Sequence, residues 1–256
     1  MISTRFPANM LNLFKKFFFP PTLAISSAGL SDAGQVRKKN EDCFTILEGK
    51  NIFIVADGMG GHNGGEVASQ ATIEIMRRHF SNKTINAMGC NSQEIRHAML
   101  SGFAKANSTV MALAREETAL QGMGCTLVMA FINGTTLHTC HVGDARCYVI
   151  SGDQINQITT DHTAAEESGE ILHNRHIVTR VIGYPFPEPP EYNTTSLHDD
   201  DKILLCSDGL WSMLDNRTIY QSITEAESPE KAAKSLITLA NKAGGDDNIT
   251  ALTIFC

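Results

Sequence analysis

A chain of 256 residues with 42% hydrophobic content is long enough to bury a sizeable core as one large domain or two small ones. A formal charge of -7 and a pI near 5.7 argue against a nucleic-acid binder, which needs a basic face. Seven cysteines, an odd number with no Cys-x-x-Cys pair, argue against a disulfide framework and fit a reducing, cytoplasmic compartment.

Residues 1–25 read as an N-terminal extension. Its apolar stretch, 10–19, is interrupted by Lys15 and Lys16 and closed by Pro20-Pro21, too short and too charged to span a bilayer. The lysines also lie inside the apolar run rather than before it, unlike a signal peptide. A surface-seeking amphipathic segment is the sharper alternative to a plain extension. From 26 to 256 the sequence is continuous and globular, without repeats or a Pro/Ser/Gly-rich linker.

A β-like run at 51–56 leads into a glycine-rich turn at 57–65. Helical spacing follows at 66–80 (Ile73, Met76, Phe80) and at 92–115 (Ile95, Met99, Phe103, Val110, Leu113), with Ser92 as the expected N-cap. The period then drops to two. Strands are expected at 126–132, 136–142 and 146–150, with Asn133-Gly134 as the hairpin turn between the first two. Residues 161–183 lack periodicity and read as a loop or surface excursion. A strand at 202–206, a helix at 228–243 opened by Ser228-Pro229 and stopped by Gly244-Gly245, and a strand at 249–255 complete the chain. Hairpins enclosing helices give no βαβ repeat, so a Rossmann-type sheet is not expected. The order favours an α+β fold, a β-sandwich covered by helices.

Carboxylates recur at the ends of these apolar runs: Asp57 and Asp208 after strands, Asp247 before one, Asp144 in a connection, and Glu41-Asp42 near the start. Each alone is an ordinary turn acid or solvated pair. Together they suggest a site for hard divalent ions, because buried carboxylates are costly without a compensating cation. Glycines after Asp57 let the backbone turn sharply and free carbonyls as ligands. Arg37, a surface cation on its own showing, has the fork that grips two phosphate oxygens.

The motifs Arg37-x-x-Asn40-Glu41-Asp42, Val55-Ala-Asp57-Gly58-Met-Gly-Gly61, Met123-Gly-Cys-Thr126, His141-Val-Gly-Asp144-Ala-Arg146, Asp161-His162, Thr179-Arg180, Ser207-Asp208-Gly209-Leu-Trp211 and Asp247-Asn248-Ile-Thr250 occur in that order. In this the chain resembles the PPM family of metal-dependent protein serine/threonine phosphatases, the protein phosphatase 2C type, in its bacterial form. The resemblance covers roughly 26–256, the expected catalytic domain. It implies a four-layer α/β/β/α sandwich, a central antiparallel β-sandwich flanked by helices, with a short flap at about 161–183. It implies hydrolysis of phosphoserine and phosphothreonine on proteins by metal-activated water, using two or three Mg2+ or Mn2+ ions. Asp57 would bridge two ions, the Gly58 carbonyl would bind one, Asp208 and Asp247 would complete the first site, and Asp144 with Asp208 would form a third. Glu41 and Asp42 would act through metal-bound waters, and Arg37 would bind phosphate. The implied partners are phosphoproteins, substrates of a Ser/Thr kinase, with no nucleic acid and no transmembrane segment, and the expected state is a monomer.

Two departures bear on mechanism. Some relatives place a histidine after the Asp-Gly pair as a proposed general acid; here that residue is Met59, and His62 reads as a turn histidine. The flap is short, and its His173, Asn174, Arg175 and His176 read as solvated loop residues. The competing function is a catalytically silent regulatory module of the same fold, which would have lost metal acids or Arg37; none is lost. An aspartyl-nucleophile hydrolase would need Asp or Thr at Met59. A tyrosine-phosphatase loop needs Cys-x5-Arg; Cys140 and Arg146, six positions apart, read as missing that spacing, and Cys140 lies inside a strand.

Overall fold

The structure is a computed structural model that describes residues 23–60, 64–168 and 177–256. The expected roles of the 10–19 stretch, of His62, and of His173, Asn174, Arg175 and His176 lie outside the described residues.

Two five-stranded antiparallel sheets pack face to face. One has β1 (Ser26–Asp32), β10 (Ile249–Phe255), β9 (Lys202–Cys206), β6 (Arg146–Ser151) and β7 (Gln154–Gln157) in that spatial order. The other has β2 (Cys43–Leu47), β3 (Ile52–Met59), β4 (Gly124–Asn133), β5 (Thr136–Val142) and β8 (Glu191–Ser196). Helices α1 (Gly64–His79) and α3 (Ser92–Glu116) cover the second sheet; α2 (Asn82–Met88) joins them. Helices α6 (Asn216–Thr224) and α7 (Pro229–Ala243) cover the first sheet. The short α4 (Ala164–Ser168) and α5 (Asp208–Trp211) lie in the connections. This is the expected four-layer sandwich.

Three apolar layers follow from period-two geometry. In β3, Phe53 and Val55 face the other sheet, while Ile52, Ile54 and Ala56 face the helices. In β4, Val128, Ala130 and Ile132 face inward, with Leu127, Met129 and Phe131 beneath α1 and α3. Both faces are buried, which is why these strands read as unbroken apolar runs rather than alternating ones. Met76, Met99 and Phe103 complete the helical side, and Ile219, Leu236 and Ala240 do so across the sandwich.

Several local readings are corrected. The N-cap of α3 is Asn91, whose side chain accepts from the Gln93 N–H, not Ser92. The strand carrying Asp57 does not end there: β3 continues to Met59, pairing Asp57 with Thr126 and Gly58 with Cys125. The three consecutive strands are present, but they do not share a sheet. β4 and β5 form the Asn133-Gly134 hairpin, whereas β6 crosses to the other sheet and pairs with β9. The 143–145 connection is therefore the passage between sheets, and Asp144 sits in it. Strands β1, β2, β7 and β8 and helices α2, α5 and α6 had no clear sequence signal. Among the described residues no helix is long and apolar enough to cross a membrane.

The register brings the acidic motifs together. Ala56 pairs with Cys43, Asp57 with Thr126, Arg146 with Cys206, and Asp32 with Ile249. Asp57, Asp144, Asp208 and Asp247 thus emerge at one end of the sandwich.

Candidate active site

Gly58 is there because nothing larger fits. A Cβ at this position would run into the carbonyl oxygens of Gly65 and Glu41, so only glycine lets the start of α1 and the 41–42 segment close over Asp57. Gly143, at φ +95, has the left-handed backbone that turns β5 toward the other sheet, and a Cβ would strike Thr126. Asp144 follows and is 2% exposed; its carbonyl accepts the Trp211 indole N–H at 3.0 Å. Asp208 opens α5.

The loop bearing Arg37 and Glu41 is stapled by Asn248. Its Oδ1 accepts the Glu41 N–H at 2.8 Å, and its Nδ2 donates to the carbonyls of Ala33 (3.0 Å) and Lys39 (2.8 Å). Asp247 Oδ1 accepts the Asn248 N–H, and its Oδ2 accepts Arg37 Nη2 at 2.7 Å. Asp42 Oδ2 accepts the hydroxyls of Ser207 (2.7 Å) and Thr250 (2.6 Å), joining β2 to the ends of β9 and β10. No role was read for Asn248, Ser207 or Thr250 from sequence, since a side chain bonding loops some 200 residues away has no local signal.

These residues enclose a cleft of about 450 Å3. Arg37, Glu41, Asp57, Gly58, Asp144, Asp208 and Asp247 line it, with Thr126, Met59, Gly60, Ile177 and Val178. Asp42 lies behind this lining, its one oxygen held by two hydroxyls. Met59 and Ile177 are apolar side chains left exposed at the cleft, an arrangement the sequence did not disclose.

Burial pushes the Asp57 carboxyl well above the usual range, reinforced by the charges of Asp42, Asp208, Asp144 and Asp247. Burial raises Asp42 to about 7 despite its hydroxyl partners, and raises Asp144 to about 7 with the help of Asp208 and Asp161. Glu41 is raised by desolvation, with Arg37 opposing. Asp42 Oδ1 and Asp144 Oδ2 are buried without a hydrogen-bond partner. Among the described lining residues, five carboxylates face one cation, Arg37. Unpartnered carboxylate oxygens at Asp42 and Asp144, within a cluster of oxygen donors, fit a site for hard divalent ions.

Behind the acids stands a rigid shell. Arg146 forks onto Asp161 (2.9 and 2.6 Å), donates to the Tyr148 hydroxyl and lies 3.6 Å over the Trp211 ring. Three of the sequence motifs thereby meet at one guanidinium. Cys140 and Arg146 do have the Cys-x5-Arg length, but Cys140 is fully buried in β5 and its thiol is pushed up by desolvation, while Arg146 is committed to Asp161. That segment is no phosphate-binding thiolate loop. His141 and His162 stack at 4.6 Å; burial lowers both, His162 to about 4. Arg180, at the flap's return, pairs with Glu167 and Glu188.

Comparison with known proteins agrees with this geometry. The family model described as protein phosphatase 2C matches residues 34–241. Serine/threonine phosphatase stp of Listeria innocua is 31% identical over 237 residues, covering 88% of this chain and 93% of the relative. Protein phosphatase PhpP of Streptococcus pneumoniae is 30% identical over 239 residues, covering 88% and 95%. Among solved structures, PppA of Pseudomonas aeruginosa superposes with a TM-score of 0.81 at 30% identity over 91% of this chain and 98% of that one. The catalytic domain of PstP, solved in complex with two manganese ions, superposes at 0.78 with 31% identity over 91% and 99%. With the family model spanning most of its length and relatives of this identity covering nearly all of it, the chain belongs to the bacterial branch of the protein phosphatase 2C family.

Proposed function

We propose that this chain hydrolyses phosphoserine and phosphothreonine on proteins, with residues 26–256 as the catalytic domain. The observation that carries the reading is the cleft itself, five carboxylates and one arginine converging from both sheets. Its relatives' names as serine/threonine phosphatases support the substrate class. Asp57, the Gly58 carbonyl, Asp208 and Asp247 would hold two divalent ions, with Asp144 and Asp208 offering a third position. Glu41 and Asp42 would stand in the outer layer. Mg2+ or Mn2+ suits an all-oxygen set, which does not choose between them. When bound, such ions activate water and neutralise charge on the phosphoryl oxygens.

The chain's own residues do the rest. Arg37 presents guanidinium N–H groups at the cleft and grips the phosphate. Asn248 fixes the Arg37 loop against the sheet, so the guanidinium and the carboxylates keep one relative position. Trp211 and Arg146 brace the Asp144 turn from behind. Met59 has no proton to give, so the residue after Asp57-Gly58 supplies no general acid. The substrates this cleft serves are phosphoproteins made by a Ser/Thr kinase, met as a monomer in the cytoplasm.

Hydrolysis of p-nitrophenyl phosphate and of a phosphothreonine peptide, with Mn2+, Mg2+ or EDTA, tests the reading in wild type and Asp208→Asn. Metal-dependent turnover abolished by EDTA and by the substitution is expected. Folded protein that turns over neither substrate with any metal overturns it.

A further inference from the structure

His141, His162 and Glu191 form a cluster at the back of the Asp144 turn that the mechanism above does not use. One potential ligand atom from each lies within 4.8 Å of the others, which invites a metal-site reading. The hydrogen bonds speak against it. His162 Nδ1 accepts the Gly143 N–H at 3.2 Å, so that nitrogen carries a lone pair. A neutral ring then bears its proton on Nε2, the nitrogen facing Glu191 Oε2 at 3.6 Å. A metal on Nε2 would require either an imidazolate or loss of the Gly143 bond. His141 is constrained too: its Nε2 lies 2.8 Å from the Thr160 carbonyl, which only accepts, so Nε2 donates.

The same contacts suggest a different role. His162 is 4% exposed and holds Gly143 from two sides: its ring accepts the Gly143 N–H, and its own N–H donates to the Gly143 carbonyl at 3.0 Å. Its carbonyl accepts the Thr179 N–H at 2.8 Å, and next to it Thr163 bridges Val178. One residue thus joins the turn that presents Asp144 to the segment that places Ile177 and Val178 on the opposite lip of the same cleft. Gly143 cannot hold this turn by packing, since it has no side chain and a left-handed φ.

Resting on the function proposed above, we propose that His162 is a positioning residue: its Nε2–H tautomer, facing Glu191, keeps Nδ1 as the acceptor that locks the Gly143 turn and so aims the Asp144 carboxylate into the cleft. Only an acceptor at the Nδ1 position satisfies this, and side-chain geometry supplies a sharp test. Asparagine places its Oδ1 near where histidine has Nδ1; glutamine reaches toward the Nε2 position.

The experiment has two arms on the full chain. In the first, 15N NMR of metal-free, histidine-labelled protein reads the His162 tautomer, with His162→Asn identifying the resonances. Protonation on Nε2 is expected, and a ring protonated on Nδ1 overturns the proposal. In the second, Mn2+ affinity is measured by calorimetry, and the Mn2+ concentration for half-maximal p-nitrophenyl phosphate hydrolysis is measured alongside. His162→Leu and His162→Gln are expected to weaken Mn2+ binding by about 10–100-fold, as loss of an outer-layer partner does. His162→Asn is expected to restore most of it. Equal impairment in the Asn and Gln variants, or unchanged Mn2+ dependence in His162→Leu, overturns the proposal. Wild-type protein with no turnover would sink the phosphatase reading alone, since the tautomer and the calorimetric binding are read without substrate.

Discussion

Arg37 and Asp247, 210 residues apart in the chain, meet through Nη2 and Oδ2 at 2.7 Å. The pair ties the proposed phosphate grip to a carboxylate of the proposed metal site, so neither is independent of the other. Both side chains keep solvent access, at 53% and 35%, so the contact contributes little to stability and matters for placement.

Arg37→Ala is therefore expected to leave the melting temperature nearly unchanged while lowering kcat/KM for p-nitrophenyl phosphate. Loss of a charge-assisted bond to phosphate costs roughly 1.5–3 kcal/mol, or about 10–100-fold. Arg37→Lys should recover only part, because an ammonium cannot fork. Steady-state kinetics with thermal melts check both; a wild-type kcat/KM in Arg37→Ala would remove Arg37 from the site.

Stability without metal should fall as pH rises. Asp42 and Asp144 stand near 7 in the folded chain and Asp57 is also raised, against an ordinary value of 3.8. A group whose folded value is raised contributes fully below its unfolded value and loses that contribution as pH climbs through the folded one. For Asp42 and Asp144 the window is thus about pH 4 to 7, and the loss for each is at most about 4 kcal/mol; Asp57 acts in the same direction. The lowered values of His141 and His162 act oppositely, and only below about 6.5. EDTA-treated protein should melt lower at pH 8 than at pH 6.5, and Asp144→Asn should flatten that slope and raise the pH 8 melting temperature. Differential scanning fluorimetry across pH reads this directly; a slope of the opposite sign would refute it.

Ser207 holds the metal end of the sandwich without touching the cleft. Its hydroxyl donates to Asp42 and accepts the Thr250 N–H at 2.9 Å, in a fully buried position. Ser207→Ala leaves that N–H and the Asp42 oxygen short of a partner, a loss of about 1–3 kcal/mol. Denaturant melts of the metal-free chain should show it, and Thr250→Val should give a comparable, non-additive loss because both act on Asp42 Oδ2.

Met59 and Ile177, 38% and 50% exposed, are two of the five large apolar side chains exposed among the described residues, and both line the cleft. On the function proposed above, this apolar surface beside the charged cleft would contact the substrate's flanking residues. Met59→Ser and Ile177→Ser should raise KM for a phosphopeptide by about 3–10-fold, a lost apolar contact of roughly 1 kcal/mol, and leave p-nitrophenyl phosphate unaffected. Equal effects on both substrates would instead place these side chains against the phosphate.

The sequence by itself determined the fold class, the family and the acids of the cleft. Apolar runs buried on both faces, such as 52–56 and 203–206, are dictated by local composition. Motifs such as Asp57-Gly58 and Ser207-Asp208-Gly209 keep their chemistry within a few residues, so they are legible without a fold. Tertiary structure decided what depends on distant backbone. Only the passage of β6 out of the sheet of β4 and β5 to pair with β9 in the first sheet turns Asp144 from an ordinary turn acid into a cleft residue. Only the β10 register sets Asn248 against Lys39 and Thr250 against Asp42. The carboxyl protonation behaviour likewise comes from burial and neighbouring charge, which no single segment carries. Strands such as β1 and β8, with small or polar residues and one face partly exposed, gave no periodic signal because sheet pairing, not side-chain pattern, makes them strands.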